Sequence, residues 1–175
     1  MLAMAVATAA CGGSGGSGPL SMQSAEDACQ LLCEHQEGCD STPDPVEPCV
    51  AECTADFTQG NGFRADAISD YADCVADLAC EINKETCLTT CSPTGAHESY
   101  EAHCRTKVTE CFGADPEHLG LCETTPDPND DDIGFNCMFT PDVMNELSAC
   151  FDLTCPELSG CFDGVLRKYK ILGGA

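Results

Sequence analysis

Apolar side chains recur at steps of three and four residues in two stretches of the chain. The first stretch consists of Ile68, Tyr71, Val75 and Leu78, and the second consists of Val143, Leu147, Cys150 and Phe151. Such steps place the side chains on one face of an α-helix, and that face then packs against the rest of the protein. We therefore predict an amphipathic helix in each stretch.

Two further signals indicate where helices begin. Thr140 followed by Pro141 is typical of an N-cap and a first helical residue, because proline has no N–H to lose at that position. Ser24 with Asp27 three residues later resembles a capping box. It predicts a helix that starts just ahead of the first closely spaced cysteines.

The spacing of the cysteines also fits helices. The pairs 29/33, 49/53 and 87/91 are four residues apart and share a helical face, as do 104 and 111 at seven residues. Cys104 lies on one stripe with Tyr100 and Val108, so we expect it to point inward. Runs of alternating β-branched residues are missing, and loops rich in Pro, Asp and Gly separate the helical stretches (40–48, 92–98 and 123–136). We predict an all-α fold of short helices and helical hairpins.

Cysteine is the most unusual part of the composition, with 17 among 175 residues, whereas tryptophan is absent. Short helices with few large apolar side chains are marginal in water. A disulfide that closes a loop of about 15 residues restricts the unfolded chain by roughly 3 kcal/mol in the entropic model. We therefore expect multiple disulfides to staple the helices, with the pairing left open. The cysteines predicted to form them are Cys29, Cys33, Cys39, Cys49, Cys53, Cys74, Cys80, Cys87, Cys91, Cys104, Cys111, Cys122, Cys137, Cys150, Cys155 and Cys161.

The cysteine-rich body has two segments that align without a gap, 63–74 and 139–150. Taken in order, the cysteines at 29, 33, 39, 49, 74, 80 and 87 correspond to those at 104, 111, 122, 137, 150, 155 and 161. We predict two divergent repeats, 25–91 and 97–163. Chance convergence of two sequences rich in cysteine and alanine is the alternative.

Cys91 decides how the repeats can close. If it belongs to the first repeat, the repeats hold nine and seven cysteines, and full pairing requires a disulfide between them. If it belongs to the second, each repeat holds eight cysteines and can close alone. The sequence leaves both arrangements open.

The charge of the chain excludes one class of binding partner. Thirty acidic against seven basic residues give a formal net charge of −23. Binding to DNA or RNA needs basic patches that neutralise phosphates, so nucleic acid is excluded as an expected partner. No apolar run reaches the roughly 18 residues of a membrane span. A basic C-terminal tail, 164–175, is expected to dock on the acidic body or on anionic lipid, or else to be loosely held.

Known catalytic and metal-binding motifs are missing from the sequence. No C-x-x-C occurs, which argues against zinc ribbons, thioredoxin-like motifs and haem attachment. The four histidines show no ligand-like spacing, and no pair of carboxylates stands out as a general acid and base. We expect no catalytic residues, no bound organic cofactor and no enzyme activity. A secreted small enzyme or enzyme inhibitor whose site is assembled by non-local residues is the rival hypothesis.

The N-terminal segment has the pattern of a processing signal. Residues 1–10 are small and apolar, Cys11 follows at once, and a stretch of Gly and Ser comes next. With Thr8, Ala9 and Ala10 ahead of the cysteine, this segment resembles the signal of bacterial lipoproteins. The resemblance implies that 1–10 is a signal peptide, truncated at its start, and that Cys11 carries the lipid.

The same resemblance implies where the protein is held. A tether, 11–24, would join the lipid to the body, and Gly12 would favour the outer membrane over retention at the inner membrane. Without Cys11 an even number of cysteines remains, 16, which suits full pairing in an oxidising compartment. We expect a membrane partner through the lipid anchor, at the outer membrane, in the periplasm or on the cell surface.

One acidic loop has a pattern of possible calcium ligands. Asp127, Asn129 and Asp131 alternate along the chain, and Ile133, Gly134 and Cys137 follow. The stretch 127–137 resembles the calcium loops of thrombospondin type 3 repeats. The resemblance implies that the three alternating residues bind Ca²⁺ through oxygen atoms, with carbonyls or waters to complete the shell. A solvated acidic turn without metal is the alternative.

These observations favour a lipid-anchored, disulfide-rich protein of the envelope or cell surface that acts as a structural or binding module. The missing catalytic motifs and the disulfide framework are the reasons. A calcium-dependent adhesion or interaction module is a second hypothesis, and it depends on the acidic loop.

Overall fold

The computed structural model describes residues 18–40, 45–120, 122–124 and 135–171. Within these ranges the protein has seven α-helices and no β-strand, so the predicted all-α fold is confirmed. The helices are α1 (Met22–Cys39), α2 (Val46–Thr58), α3 (Ala65–Ala76), α4 (Gly95–Phe112), α5 (Pro116–Gly120), α6 (Pro141–Cys150) and α7 (Leu158–Lys168). Short 3₁₀ helices lie at Gln59–Asn61, Lys84–Thr90, Phe135–Met138 and Cys155–Glu157.

One of the two predicted helix starts is confirmed and the other is wrong. Thr140 is the N-cap of α6 and Pro141 its first residue, as predicted. The predicted start at Ser24 is wrong, because α1 begins three residues earlier with Ser21 as its N-cap. The Ser21 hydroxyl accepts a hydrogen bond from the backbone N–H of Ser24 at 3.1 Å. Ser24 is therefore the third residue of the helix, where its N–H needs a partner.

The two apolar stripes face the interior as their spacing predicts. In α3, Ile68 and Val75 are fully buried, whereas Leu78 lies beyond the end of the helix. The second stripe is buried at all four of its positions, Val143, Leu147, Cys150 and Phe151. In α4 the predicted inward stripe of Tyr100, Cys104 and Val108 is buried as well. Local periodicity was therefore sufficient to find these helical faces.

The first half of the chain packs through small side chains. The helix α1 lies against both α2 and α3. Four buried alanines, Ala25, Ala28, Ala67 and Ala72, contribute to the hydrophobic cluster there. Because alanine projects only a methyl group, these helices can approach each other closely.

The second half packs through large side chains. The helix α4 lies against α6, and α6 lies against α7. The buried cluster of this half contains Tyr100, Phe139, Met144, Leu147 and Phe151. Aromatic rings and methionine therefore form much of the core of this half.

Eight disulfides join the sixteen cysteines that follow Cys11. They are Cys29–Cys53, Cys33–Cys49, Cys39–Cys80, Cys74–Cys87, Cys91–Cys137, Cys104–Cys122, Cys111–Cys155 and Cys150–Cys161. The predicted stapling of helices by multiple disulfides is confirmed.

Three disulfides of the first half have a counterpart in the second. From the middle of α1 a disulfide reaches α2, and from the middle of α4 one reaches the segment just after α5, with sequence separations of 16 and 18. From the end of α1 a disulfide reaches the turn after α3, and from the end of α4 one reaches the 3₁₀ helix after α6, with separations of 41 and 44. The third joins α3 or α6 to the helix that follows it, with separations of 13 and 11.

These partners give a different correspondence from the one that counting predicts. Cys33 now corresponds to Cys104 and Cys39 to Cys111, whereas the matches at 74/150, 80/155 and 87/161 are unchanged. Cys29–Cys53 occurs only in the first half. Cys91 joins Cys137, which makes it the disulfide between halves that an odd count in each repeat requires. Common ancestry of the two halves stays a prediction.

The two halves meet in a short antiparallel bridge between Phe63 and Phe139. The N–H of Arg64 donates to the Met138 carbonyl at 2.8 Å, and the N–H of Thr140 donates to the Gly62 carbonyl at 2.9 Å. Phe63 and Phe139 are aligned positions in the two ungapped segments, so exchanging the halves converts one hydrogen bond into the other. We call residues 62–64 and 138–140 the seam.

Arg64 is buried at the seam, with only 3% of its surface exposed. Its guanidinium donates to both carboxylate oxygens of Asp66 and to the carbonyls of Ser92 and Cys137. The ionic partner and the two carbonyls therefore satisfy a charge that would otherwise be costly to bury. No pattern in the sequence indicates this role for Arg64.

The segments at both ends of the described chain also contact the seam. Gly18 and Leu20 form backbone hydrogen bonds with Ala65 and Phe63, and α1 begins at Met22, inside the stretch predicted as tether. At the other end, α7 runs across the predicted boundary between the second repeat and the basic tail. The domain boundaries of the sequence prediction therefore do not coincide with the ends of these elements.

Candidate functional site

An apolar cavity of about 730 Å³ lies mainly in the second half. Its size falls in the range of sites that bind drug-sized molecules, about 300–1,000 Å³. Seventeen residues line it: Phe57, Phe63, Tyr71, Tyr100, Cys104, Val108, Phe112, Asn136, Met138, Phe139, Leu147, Phe151, Leu158, Ser159, Phe162, Leu166 and Ile171. Eight of the ten aromatic residues of the whole chain are among them.

Two helices supply regular stripes of this lining. Residues at steps of four along α4 (100, 104, 108 and 112) and along α7 (158, 162 and 166) face the cavity. Steps of four keep side chains on one helical face, so each helix presents a continuous apolar wall. The disulfide Cys150–Cys161 holds α7 against α6, and Cys104–Cys122 fixes the segment after α5 to α4.

Six of the aromatic rings form two groups of three, and the rings within each group pack against each other. Phe151 packs against Tyr100 and against Phe162, with ring centroids 5.3 Å apart in both pairs. Phe63 packs against Phe57 at 5.4 Å and across the seam against Phe139 at 5.8 Å. These distances are typical of favourable edge and tilted aromatic pairs. The first half therefore contributes one side of the cavity.

The lining carries no charged side chain among the described residues. Its polar groups are those of Tyr71, Tyr100, Asn136 and Ser159. Burial raises the pKa of Tyr100 to about 12, so its hydroxyl is protonated and neutral at ordinary pH. Burial, with the nearby Glu85 charge, also raises the pKa of Tyr71. The cavity is therefore electrically neutral inside a strongly acidic protein.

The C-terminal segment closes part of the cavity against the first half. Ile171 lines the cavity and also lies next to Gly62. At Gly60, which has a φ of +87°, an added Cβ would lie 2.3 Å from the Tyr169 carbonyl oxygen. Only glycine suits both this backbone conformation and this close approach. Glu146 anchors the same segment by accepting hydrogen bonds from Lys168 and from the Tyr169 hydroxyl.

A buried histidine supports the cavity from α4. The backbone N–H of Thr94 donates to Nδ1 of His97 at 3.1 Å, which leaves Nε2–H to donate to the Asn136 carbonyl at 3.1 Å. Burial, and then the Arg64 charge, lowers the pKa of His97, so the imidazole is neutral. It therefore acts as a structural link between the start of α4 and a residue of the cavity lining.

A second histidine touches a hydroxyl group, the kind of contact that the rival enzyme hypothesis requires. His103 Nδ1 lies 2.9 Å from the Ser148 hydroxyl, with the pair exposed on the surface. Neither residue lines the cavity, and the described residues place no carboxylate in hydrogen-bond contact with His103. This contact alone does not create an activated nucleophile, which needs an oriented base beside a bound substrate.

The other predicted site residues fall into two groups. The sixteen predicted disulfide cysteines all lie in disulfides, as described above. Cys11 and the predicted calcium ligands Asp127, Asn129 and Asp131 lie outside the described residues.

In the described ranges no cluster of three or more His, Cys, Asp or Glu side chains is arranged to hold a metal. None of the described helices combines the length and the apolar character needed to cross a membrane.

The cavity is the feature that sequence reasoning missed. The inward stripe of α4 was visible from Tyr100 to Val108, and Phe112 extends it by one more step of four. A similar stripe of Leu158, Phe162 and Leu166 extends into the predicted basic tail. What the sequence does not show is that these two stripes face each other.

Comparison of the chain with protein-family models, with curated proteins and with solved structures found no match in any of the three.

Proposed function

We propose that this protein is a lipid-anchored, disulfide-rich binding module of the bacterial cell envelope or cell surface, without catalytic activity. The lipid on Cys11 would hold it at the membrane, and the Gly/Ser tether would give the body freedom to move. The acidic body would face an aqueous, oxidising compartment at the outer membrane or in the periplasm.

The observation that carries this proposal is the pairing of the sixteen cysteines after Cys11 in eight disulfides. Disulfides of this density persist in secreted and periplasmic compartments and are rare where thiols are kept reduced. Pairing also uses every cysteine except the one at the lipoprotein-like position. This arrangement supports a separate role for Cys11.

A binding role, rather than a purely structural one, is supported by the aromatic cavity. Although the chain has only ten aromatic residues, eight of them line this one cavity. A large apolar cavity with a few polar groups is the usual form of a small-molecule site. The calcium-dependent adhesion module stays a prediction, because its loop lies outside the described residues. The secreted enzyme or inhibitor also stays a prediction, because the His103–Ser148 contact lies apart from the cavity.

The experiment that tests this proposal is the intact mass of the protein purified from its native membrane fraction. We expect a mature chain that starts at Cys11, with added mass from lipid. Without reduction no cysteine should react with an alkylating agent, and after reduction 16 should react, the number that follow Cys11. The matched control is Cys11→Ser, which should leave the membrane fraction while its disulfides stay intact.

Two results would contradict the proposal. An unprocessed chain without lipid would remove the membrane anchor. Thiols that react freely before reduction would place the protein in a reducing compartment and remove the disulfide framework.

A further inference from the structure

We infer that the aromatic cavity binds one neutral, largely apolar small molecule with a ring system or short hydrocarbon body. This inference deepens the proposed binding function and rests on it, because it names the class of ligand that the module would take. The chemistry of the lining and its accessibility from solvent support this inference.

The neutrality of the ligand follows from the neutrality of the lining. A charge that enters a cavity without a compensating group loses its hydration and gains no partner, and this transfer is expensive. The described lining offers no carboxylate, ammonium or guanidinium group. The Tyr100 hydroxyl, whose pKa burial raises to about 12, cannot serve as an anion at ordinary pH. An uncharged ligand avoids this penalty.

The charge of the whole protein acts against anionic ligands in particular. A net charge of −23 creates a negative potential around the molecule, and this potential repels anions during approach and at the cavity mouth. A free fatty acid would therefore have no cation to meet its carboxylate and would also be repelled at long range. A neutral molecule is indifferent to this potential.

The aromatic walls favour a ligand that presents ring faces or a compact hydrocarbon surface. Phe151 and Phe63 are each the centre of a group of three packed rings. Aromatic pairs in offset or edge geometry contribute about 0.5–1.5 kcal/mol beyond the area they bury. Two such groups around one volume of about 730 Å³ suit a ligand that touches both.

The cavity is accessible from solvent at its α4 and α7 ends. Phe112, at the end of the α4 stripe, is 57% exposed, and Ser159, at the start of α7, is also exposed. Both residues line the cavity. A ligand can therefore enter there without unfolding the disulfide framework. The same two positions allow the site to be altered without disturbing the buried core.

The test uses N-phenyl-1-naphthylamine, a neutral dye whose fluorescence rises in apolar surroundings, with the full chain carrying Cys11→Ser. Removing the lipidation residue keeps any attached lipid out of the measurement. We expect saturable binding of one dye per chain at micromolar concentration. Failure of this binding would overturn the cavity inference, whereas failure of the lipid anchor is read separately from the intact mass.

Matched competitors then determine the charge preference. Dodecanol, dodecyltrimethylammonium and dodecanoate have the same alkyl chain and differ in head-group charge. We expect dodecanol to displace the dye at the lowest concentration, with dodecanoate at least about tenfold weaker, a difference of about 1.4 kcal/mol. Equal or better displacement by dodecanoate or by the ammonium compound would overturn the inference of a neutral ligand.

Three variants locate the binding. Ser159→Trp should fill the mouth and weaken dye binding at least about tenfold, whereas Phe112→Ala should weaken it roughly three- to tenfold through lost ring contact. Ser69→Trp is the control, because Ser69 is an exposed helical serine that does not line the cavity. If Ser69→Trp weakens dye binding as much as Ser159→Trp does, the dye does not bind in the cavity. Unchanged binding in Ser159→Trp and Phe112→Ala would lead to the same conclusion.

Discussion

The two halves of this protein share a framework and differ in what they enclose. Each begins with an 18-residue helix, α1 or α4, and each carries three disulfides with corresponding partners. The first half closes around alanines, whereas the second half surrounds an aromatic cavity. Disulfides thus fix the positions of the helices, and the side chains between them are free to differ.

The difference has a physical consequence for where function can lie. In the first half an additional disulfide, Cys29–Cys53, joins α1 and α2 a second time, and a pocket of about 710 Å³ beside these helices is lined in part by charged and polar side chains. In the second half one disulfide reaches the segment after α5, and large rings pack among α4, α6 and α7 around the apolar cavity. We interpret the first half as the rigid support and the second as the binding half.

The largest expected effect comes from removing the buried charge of Arg64 at the seam. This substitution tests whether the two halves are held together as one unit. Arg64→Met leaves the partly buried Asp66 carboxylate, the buried Cys137 carbonyl and the partly buried Ser92 carbonyl without their donor. Breaking a buried ion pair in this way costs about 3–5 kcal/mol. The free energy of unfolding in urea measures it.

The control for that substitution is Arg105→Met. Arg105 forms ion pairs with Glu101 and Glu123, but its side chain is 41% exposed. Exposed pairs contribute about 0–1 kcal/mol, so stability should change little. If both arginine variants lose the same stability, the seam is not a buried link between the halves.

Removing one disulfide from each half tests whether the first half is the better supported. Without Cys29–Cys53, the same two helices remain joined by Cys33–Cys49, so only a short additional loop is released and the cost should be about 2 kcal/mol. Without Cys104–Cys122, the longer loop is released and the cost should be about 3 kcal/mol. Both cysteines of each pair are changed to Ala, and urea unfolding is measured. A larger loss in the first half would reverse the comparison.

Helical faces and the fold class were predictable because their signals are local. The period of three to four residues in α3, α4 and α6 is written in neighbouring residues, and so is the Thr140–Pro141 start. The start of α1 was misplaced because Ser21 and Ser24 are both acceptable N-caps. Only the folded helix shows which of them accepts the N–H.

The disulfide partners and the cavity were not predictable because they depend on distances between remote segments. Counting cysteines in order matches Cys29 with Cys104, whereas the partners match Cys33 with it. The reason is that Cys29, Cys53 and Cys91 have no counterpart in the second half and Cys137 has none in the first. The cavity needs α4 and α7 to face each other across a gap. No spacing within either helix contains that information.

Two substitutions that add volume compare the packing of the alanine interface in the first half with that of the cavity wall in the second. We expect a large loss of stability in the first case and a small one in the second. Ala72→Leu adds three carbons at a fully buried position of the first half, and overpacking should cost about 1–3 kcal/mol. Val108→Phe adds volume at a position that lines the cavity, so it should cost less than about 1 kcal/mol. Urea unfolding measures both. Equal losses would mean that the cavity walls are as tightly packed as the alanine interface.

The smallest expected effect is a difference in acid sensitivity between the caps of α1 and α4. Ser21 caps α1 with a hydroxyl that does not titrate, whereas buried His97 links Thr94 to the Asn136 carbonyl beside the cavity.

Burial and then the Arg64 charge hold the folded-state pKa of His97 below its ordinary 6.5, while backbone carbonyls oppose that shift. At a pH between this lowered pKa and 6.5, the unfolded chain binds more protons than the folded chain. The free energy of unfolding therefore falls as the pH falls, by at most about 1.4 kcal/mol per pH unit.

His97→Gln should flatten the pH dependence of the unfolding free energy between pH 7.5 and pH 5, which is roughly the range in which imidazole titrates. Hydrogen exchange should then increase at low pH in α4 and not in α1, because only the α4 cap changes charge. An equal increase in both helices would show that acid acts on the shared disulfide framework instead of on the binding half.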